Sequence, residues 1–245
     1  MIKFITILTK FIVLTVIAIL ASSCNFNSNI NSIRGNGNIT TEKRTSEKDF
    51  KSIDVSNGID VIVEQSENKS ITVEADSNLQ QYIKTEIENG VLVITSNQSY
   101  NSSKTPKITV KMPVIEALQA SSGSTIESAN TLKGENITLN TSSAAEINVS
   151  IEADNISLDS SSGSNIIASG KALKLETSAS SGSEINAKKL LVNNVISDVS
   201  SGASTNIHPI VSLKAEASSG GDINYDIIPK SIQKSISSGG SIDNN

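Results

Sequence analysis

Few residues of this sequence have side chains suited to chemistry, and their number limits the reactions they could perform. There is one histidine, His208, and one cysteine, Cys24. A Ser-His-Asp triad would need His208 as its base, but no nucleophile-elbow sequence accompanies it, and it precedes Pro209 in a predicted turn between repeats. The same count excludes a zinc site of the Cys/His type. We therefore predict no catalytic and no metal-binding residue, and that the chain is not an enzyme.

Two acidic residues, Asp198 and Glu216, stand at equivalent positions of successive repeats, each four residues before a glycine. If the repeats stack as strands, the carboxylates lie about 5 Å apart and could hold a calcium ion weakly; a solvated acidic face is the alternative. A polysaccharide lyase or hydrolase would need a basic residue beside clustered carboxylates. No Arg or Lys stack joins this pair, and the chain has no Trp for sugar stacking. The pattern predicts no cofactor.

The first residues have the pattern of a bacterial targeting segment. Lys3 and Lys10 supply positive charge, a short apolar run follows, and the small residues Ala21-Ser22-Ser23 precede Cys24. This arrangement is similar to a lipoprotein signal, which predicts a signal peptide over residues 1–23 and lipidation of Cys24. A plain secretory peptide and a buried free thiol are the alternatives.

The residues after the cysteine are polar and poor in bulky apolar side chains. This composition predicts a tether over residues 24–46, between the lipidated Cys24 and the folded part. The formal net charge is −5 and there is no block of Lys and Arg. We therefore predict no nucleic-acid partner.

A Ser-Ser-Gly motif recurs through the second half of the chain at a nearly constant interval. Its third residues are Gly123, Ala144, Gly163, Gly182, Gly202, Gly220 and Gly239, at intervals of 21, 19, 19, 20, 18 and 19 residues. Aliphatic and polar residues alternate on both sides of each copy, so each copy predicts a strand, a turn and a strand. A linker would not keep this phase. The motif therefore predicts a corner where glycine adopts a positive φ.

Stacked repeats of this kind predict an all-β fold. Over residues 114–245 we expect a parallel β-solenoid, single-stranded and β-helix-like, with coils of about 19–21 residues, because only stacking buries the apolar face of so short a unit. Residues 47–113 are also strand-like, and Asn89-Gly90 between two alternating runs predicts a hairpin. This region is expected to begin the solenoid and to cap it.

Two stretches carry a resemblance to a known family. FKSIDVSNGIDVIV at Phe50–Val63 and the run at Ile71–Ile94, followed by the Ser-Ser-Gly repeats, resemble the putative auto-transporter adhesin family with a head Gly-Ile-Asn domain. The motif here reads Gly58-Ile59-Asp60. The resemblance implies a β-helix-like domain on secreted or lipid-anchored proteins of Bacteroidota-type bacteria, an adhesin role, and no catalytic residues to transfer.

These observations predict a non-enzymatic lipoprotein of the cell envelope, anchored by lipid to the outer membrane, that acts as an adhesin or surface-interaction domain through a rigid solenoid face. A periplasm-facing structural or sensing lipoprotein is the alternative, and a polysaccharide-active β-helix enzyme is a weaker one. The membrane, through the anchor, and a protein or glycan surface are the expected partners. The sequence leaves open the identity of that surface, the face of the membrane and the oligomeric state.

Overall fold

Alternating aliphatic and polar residues form strands that stack in layers along most of the chain. The computed structural model describes Thr15, residues 32–45 and residues 48–245. The strands of this part are β1 (Ile33–Arg34), β2 (Ile39–Arg44), β3 (Ser52–Val55), β4 (Asp60–Gln65), β5 (Ser70–Asp76), β6 (Ile83–Glu88), β7 (Val91–Ser96), β8 (Tyr100–Asn101), β9 (Lys107–Met112), β10 (Ala117–Ala120), β11 (Thr125–Ser128), β12 (Leu132–Thr141), β13 (Glu146–Ser160), β14 (Asn165–Ala179), β15 (Glu184–Val199), β16 (Ser204–Ala217), β17 (Asp222–Tyr225), β18 (Ser231–Ile236) and β19 (Ser241–Asn244). They are joined mostly by parallel pairing, which confirms the predicted β-solenoid.

Each coil places the same sequence positions over those of the next coil. The inward column three residues after the corner consists of Val61, Ile126, Ile147, Ile166, Ile185, Thr205, Ile223 and Ile242. All eight are buried, and burial of each aliphatic side chain contributes about 1.5–3 kcal/mol. Because the chain has few aromatic residues, Ile, Leu and Val form most of the core.

In the coils of β13, β14, β15 and β16, the second bend lies inside a strand. At this bend the stretches 153–155 and 171–172 continue the β13–β14 ladder. Burial changes phase there: Ala172 is buried, Leu173 and Lys174 are exposed, and Leu175 is buried again. The chain therefore bends here while β13 and β14 stay paired.

Residues before the repeat form the first layers and a cap, as predicted. β3 pairs in parallel with β10 on one side and with β7 on the other, so it continues the stack. β6 and β7 form an antiparallel hairpin whose turn residues Asn89 and Gly90 have φ values of 50° and 82°. These two positive values match the turn that an Asn-Gly pair favours.

Two strands, β1 and β2, lie before the predicted domain boundary at residue 47. β1 pairs with β8, and β2 pairs antiparallel with β5, with Thr41 opposite Glu74. Both strands fall within residues 24–46, the range for which a tether is predicted. The predicted signal peptide over residues 1–23, apart from Thr15, and Cys24 lie outside the described residues, among which no helix is long and apolar enough to cross a membrane.

Candidate functional site

The repeated corners are tight turns of one geometry. In each turn the residue before the predicted corner also has a positive φ: Ser162 has 55° and Gly163 has 67°. Ser164 N donates to Ser161 O at 3.3 Å and closes the four-residue turn. Two consecutive positive φ values define a type I′ turn, which usually carries Asn-Gly or Gly-Gly. The positive φ of the glycines was predicted from the sequence, but that of the serines was not, because serine rarely adopts this conformation.

Ala144 holds the glycine position in one corner and keeps its geometry. Its φ is 59°, and Ser143 before it has 53°. This turn therefore has two non-glycine residues in the left-handed region, and the coil is strained there without a change of path.

The corners also bond to one another along the axis of the solenoid. Gly123 N donates to Ser143 O at 3.0 Å, and Gly163 N donates to Ser181 O at 3.1 Å. The side chains of these serines lie on the outside, so the column displays hydroxyl groups at the spacing of the strands, about 4.8 Å. The Ser-Gly stretches that resemble a flexible linker are thus a hydrogen-bonded edge.

The motif Gly58-Ile59-Asp60 lies at the first corner of this column. Gly58 N donates to Ser122 O at 3.0 Å, as the later corner glycines do to their neighbours. Ile59 is fully buried, and Ile59 N donates to Ser124 Oγ at 3.2 Å. The family motif therefore begins the corner column, and its middle residue belongs to the core.

Tyr100 covers this first corner. Its hydroxyl lies 2.8 Å from Asn57 O and 2.9 Å from Gly58 O, beside a shallow cavity of about 520 Å³. Burial, followed by the charge of Asp60, raises the pKa of Tyr100 to about 12, so its hydroxyl stays a donor. Burial also raises the pKa of Asp60, with Thr125 and Lys107 acting in the opposite sense.

The carboxylates proposed for calcium lie in register, as expected. Asp198 pairs with Glu216 on the next coil, and Glu216 forms an ion pair with Lys214 at 3.0 Å. Burial, followed by the charge of Glu216, raises the pKa of Asp198. In the part of the chain that the structure describes, no three His, Cys, Asp or Glu side chains are grouped as metal ligands. The pair lines a shallow, serine-rich groove of about 430 Å³.

His208 lies in β16 and not in a turn between repeats. The pairing of β16 with β15 shifts register beside it, which gives the irregularity that the following proline requires. His208 Nδ1 lies 2.8 Å from Asp226 Oδ1, and both side chains are about one-fifth exposed, at 21%. Because Asp226 follows β17, this contact ties the segment after β17 to the neighbouring coil. The arrangement suits a structural role.

One exposed apolar surface was not predicted. Leu173, Leu191 and Ile210 are 54%, 47% and 37% exposed at the second bend of successive coils, and they line one shallow cavity of about 460 Å³. We call these three residues the apolar ridge. The only signal in the sequence was the pair of adjacent apolar residues Ala172 and Leu173, which interrupts the alternation of apolar and polar residues in this strand.

The solved structures that resemble this chain have the same fold. A putative adhesin from Bacteroides fragilis NCTC 9343 has a TM-score of 0.80 at 17% identity, over 87% of this chain and 100% of that one. A putative lipid binding protein from Parabacteroides distasonis ATCC 8503 has a TM-score of 0.72 at 23% identity, over 87% and 99%. A putative adhesin from Parabacteroides merdae ATCC 43184 has 0.69 at 24%, over 87% and 99%. At these identities the likeness establishes the fold.

No protein of curated function matches the chain in sequence. The model of one family does match: it is described as "Putative auto-transporter adhesin, head GIN domain" and covers residues 49–227. This range contains the first corner at Gly58, the hairpin cap and most of the corner column. The chain therefore belongs to the head GIN domain family of putative auto-transporter adhesins.

Proposed function

We propose that this chain is a lipoprotein of the cell envelope, anchored to the outer membrane through Cys24, that acts as an adhesin and performs no catalysis. Membership of the head GIN domain family is the observation that carries the proposal. The signal-like sequence before Cys24 supports the anchor. A rigid β-solenoid with hydrogen-bonded corners suits a role that depends on presenting a surface.

The apolar ridge is the surface that best fits such contact. Three large aliphatic side chains, Leu173, Leu191 and Ile210, are exposed on neighbouring coils, whereas large apolar residues on the surface of a soluble protein are usually scattered. Lys171 and Glu152, which form an ion pair at 3.4 Å, border the ridge. An apolar centre with a charged rim is the usual arrangement of a protein interface.

Two measurements on cells test the proposal. Protease treatment of intact cells should degrade the domain if it faces outward, and cells that produce the protein should attach to surfaces better than cells without it. The triple variant L173S/L191S/I210S should lose this attachment at unchanged protein abundance. The double variant V114S/I236S is the matched control, since Val114 and Ile236 are 45% and 54% exposed outside the ridge.

The outcomes separate the alternatives. Protection from external protease would overturn the adhesin role and favour the periplasm-facing structural or sensing lipoprotein. Equal attachment by the ridge variant and the wild-type chain would show that another face makes the contact. A metabolically labelled lipid that remains on a Cys24→Ser variant would contradict the proposed anchor.

A further inference from the structure

A cavity at the ends of β2 and β5 gathers positive charge in a chain that is acidic overall. It measures about 360 Å³ and is lined by Lys43, Arg44, Thr45, Lys48, Phe50, Lys69, Ser70 and Ile71. Four of these eight residues are cations and none is an acid, although the formal net charge of the chain is −5. We call this cavity the basic pocket.

The antiparallel pairing of β2 with β5 builds the basic pocket. Arg44 lies directly opposite Ile71, so both side chains point to the same face of the sheet. Ile71 and Phe50 are 4% and 6% exposed and form an apolar floor. Lysines more than 20 residues apart in sequence, Lys43 and Lys69, line the same cavity only because of this pairing.

Arg44 is fixed at the wall of the pocket and keeps one unused donor. Its Nη2 donates to Gln80 O at 3.0 Å and to Gln80 Oε1 at 3.2 Å, and it forms an ion pair with Glu42 at 2.9 Å. Its Nε is buried and has no hydrogen-bond partner among the residues that the structure describes. A buried donor without an acceptor destabilises the fold, so an acceptor at this position would stabilise the chain.

Among the described residues, Glu42 and Asp49 pair with Arg44 and Lys69 of the pocket. Lys69 pairs with Asp49, whose side chain is 85% exposed, and the hydrogen bond and charge of Lys69 lower the pKa of that carboxyl. Lys48 Nζ donates to the backbone oxygen of Ile87 at 3.4 Å. Among the described residues, Lys43 has no ion-pair partner. An exposed ion pair such as that of Lys69 is worth little and opens readily to another anion.

We propose that the basic pocket binds the phosphate group of an anionic ligand. Arg and Lys side chains are the usual ligands of phosphate, and Lys43 and Lys69, which line this cavity, can supply charge-assisted hydrogen bonds. The apolar floor of Phe50 and Ile71 admits an apolar part of the ligand beside its phosphate. Free phosphate and a lipid headgroup both offer this chemistry. The inference is independent of the adhesin role, because the pocket shares no residue with the apolar ridge.

Titration of the purified full chain in a neutral detergent tests the pocket. Inorganic phosphate is one probe, and detergent micelles that contain phosphatidic acid are the second; micelles with zwitterionic phosphatidylcholine are the control. The double variant K43Q/K69Q should weaken binding at least about tenfold, as expected for the loss of two charge-assisted contacts. The matched control is K174Q/K188Q, which removes the same charge elsewhere; Lys69 and Lys174 are equally exposed at 45% and each is paired with an acid.

Each outcome decides for or against the pocket. Binding of inorganic phosphate that only K43Q/K69Q weakens supports a site for a free phosphate-bearing anion. Binding of phosphatidic acid alone, with the same dependence, supports a lipid headgroup. Absence of binding by both probes overturns the proposal, and so does equal weakening by the two double variants, since charge would then act without a site. Unchanged thermal unfolding of K43Q/K69Q shows that the fold is intact.

Discussion

Replacement of Ala144 by glycine should stabilise the solenoid. A non-glycine residue in the left-handed region costs about 1–2 kcal/mol, and Ala144 has a φ of 59°. Glycine removes this cost, but it also increases the entropy of the unfolded chain, which offsets about 0.4–1 kcal/mol of the gain in stability. The free energy of unfolding of Ala144→Gly should therefore rise by about 0.5–1 kcal/mol, which corresponds to a midpoint about 2 °C higher for a chain of this size.

The reverse substitution at the next corner is the matched control. Gly163 has a φ of 67°, and a Cβ built there would meet no atom within 4 Å, so Gly163→Ala changes the backbone preference and nothing else. It should lower the free energy of unfolding by about 0.5–1 kcal/mol. Thermal and urea unfolding, followed by circular dichroism, measure both variants. A destabilised Ala144→Gly, or a stabilised Gly163→Ala, would refute the assignment of strain to this corner.

Three further substitutions test other parts of the stack. Gly170→Ala should lower the free energy of unfolding by about 3 kcal/mol in urea, because its Cβ would lie 2.1 Å from Ile151 O at a φ of 121°; a loss under about 1 kcal/mol would contradict this. Tyr100→Phe should cost about 1 kcal/mol in thermal unfolding by leaving the carbonyl of Gly58 without its donor, and an unchanged midpoint would show that water replaces the hydroxyl. Asp60→Asn should raise the midpoint at pH 7. Burial raises the pKa of Asp60 in the folded chain above 3.8, so its charge destabilises the fold above that pH. The difference in midpoint between the variant and the wild-type chain should therefore vanish below that pH. A difference in midpoint that persists at pH 3 would contradict this cause.

The repeat was predictable because stacking imposes it on the sequence. Each coil must place an aliphatic residue over the one before it, so Ile147, Ile166 and Ile185 recur at a constant interval from their corners. A tight turn at the same place in every coil requires the same small residues. The repeat in the sequence therefore has the same length as one coil of the fold, and the fold class can be predicted from it.

The basic pocket and the extent of β2 could not be predicted in the same way. β2 pairs with β5, about 30 residues away and in the antiparallel sense, so no repeat marks the partner. No residue of β2 is fully buried, and its residues Ile39–Arg44 lack a clear alternation of apolar and polar side chains. Lys43 and Lys69 become neighbours only through this pairing. A cavity built by a single long-range pairing produces no repeated pattern in the sequence.

A lysine lies in a core column of the last layer that the structure describes. Lys234 lies in a column whose earlier members, Leu158, Thr177, Ser197 and Ala215, are all small or aliphatic and buried. Its Nζ donates to Ile242 O at 2.8 Å and lies 4.7 Å from the centre of the Tyr225 ring. A lysine that points inward at a sheet edge hinders the addition of a further strand. The apolar ridge lies along the side of the stack, so the adhesive contact proposed for it would leave the strand pairing intact.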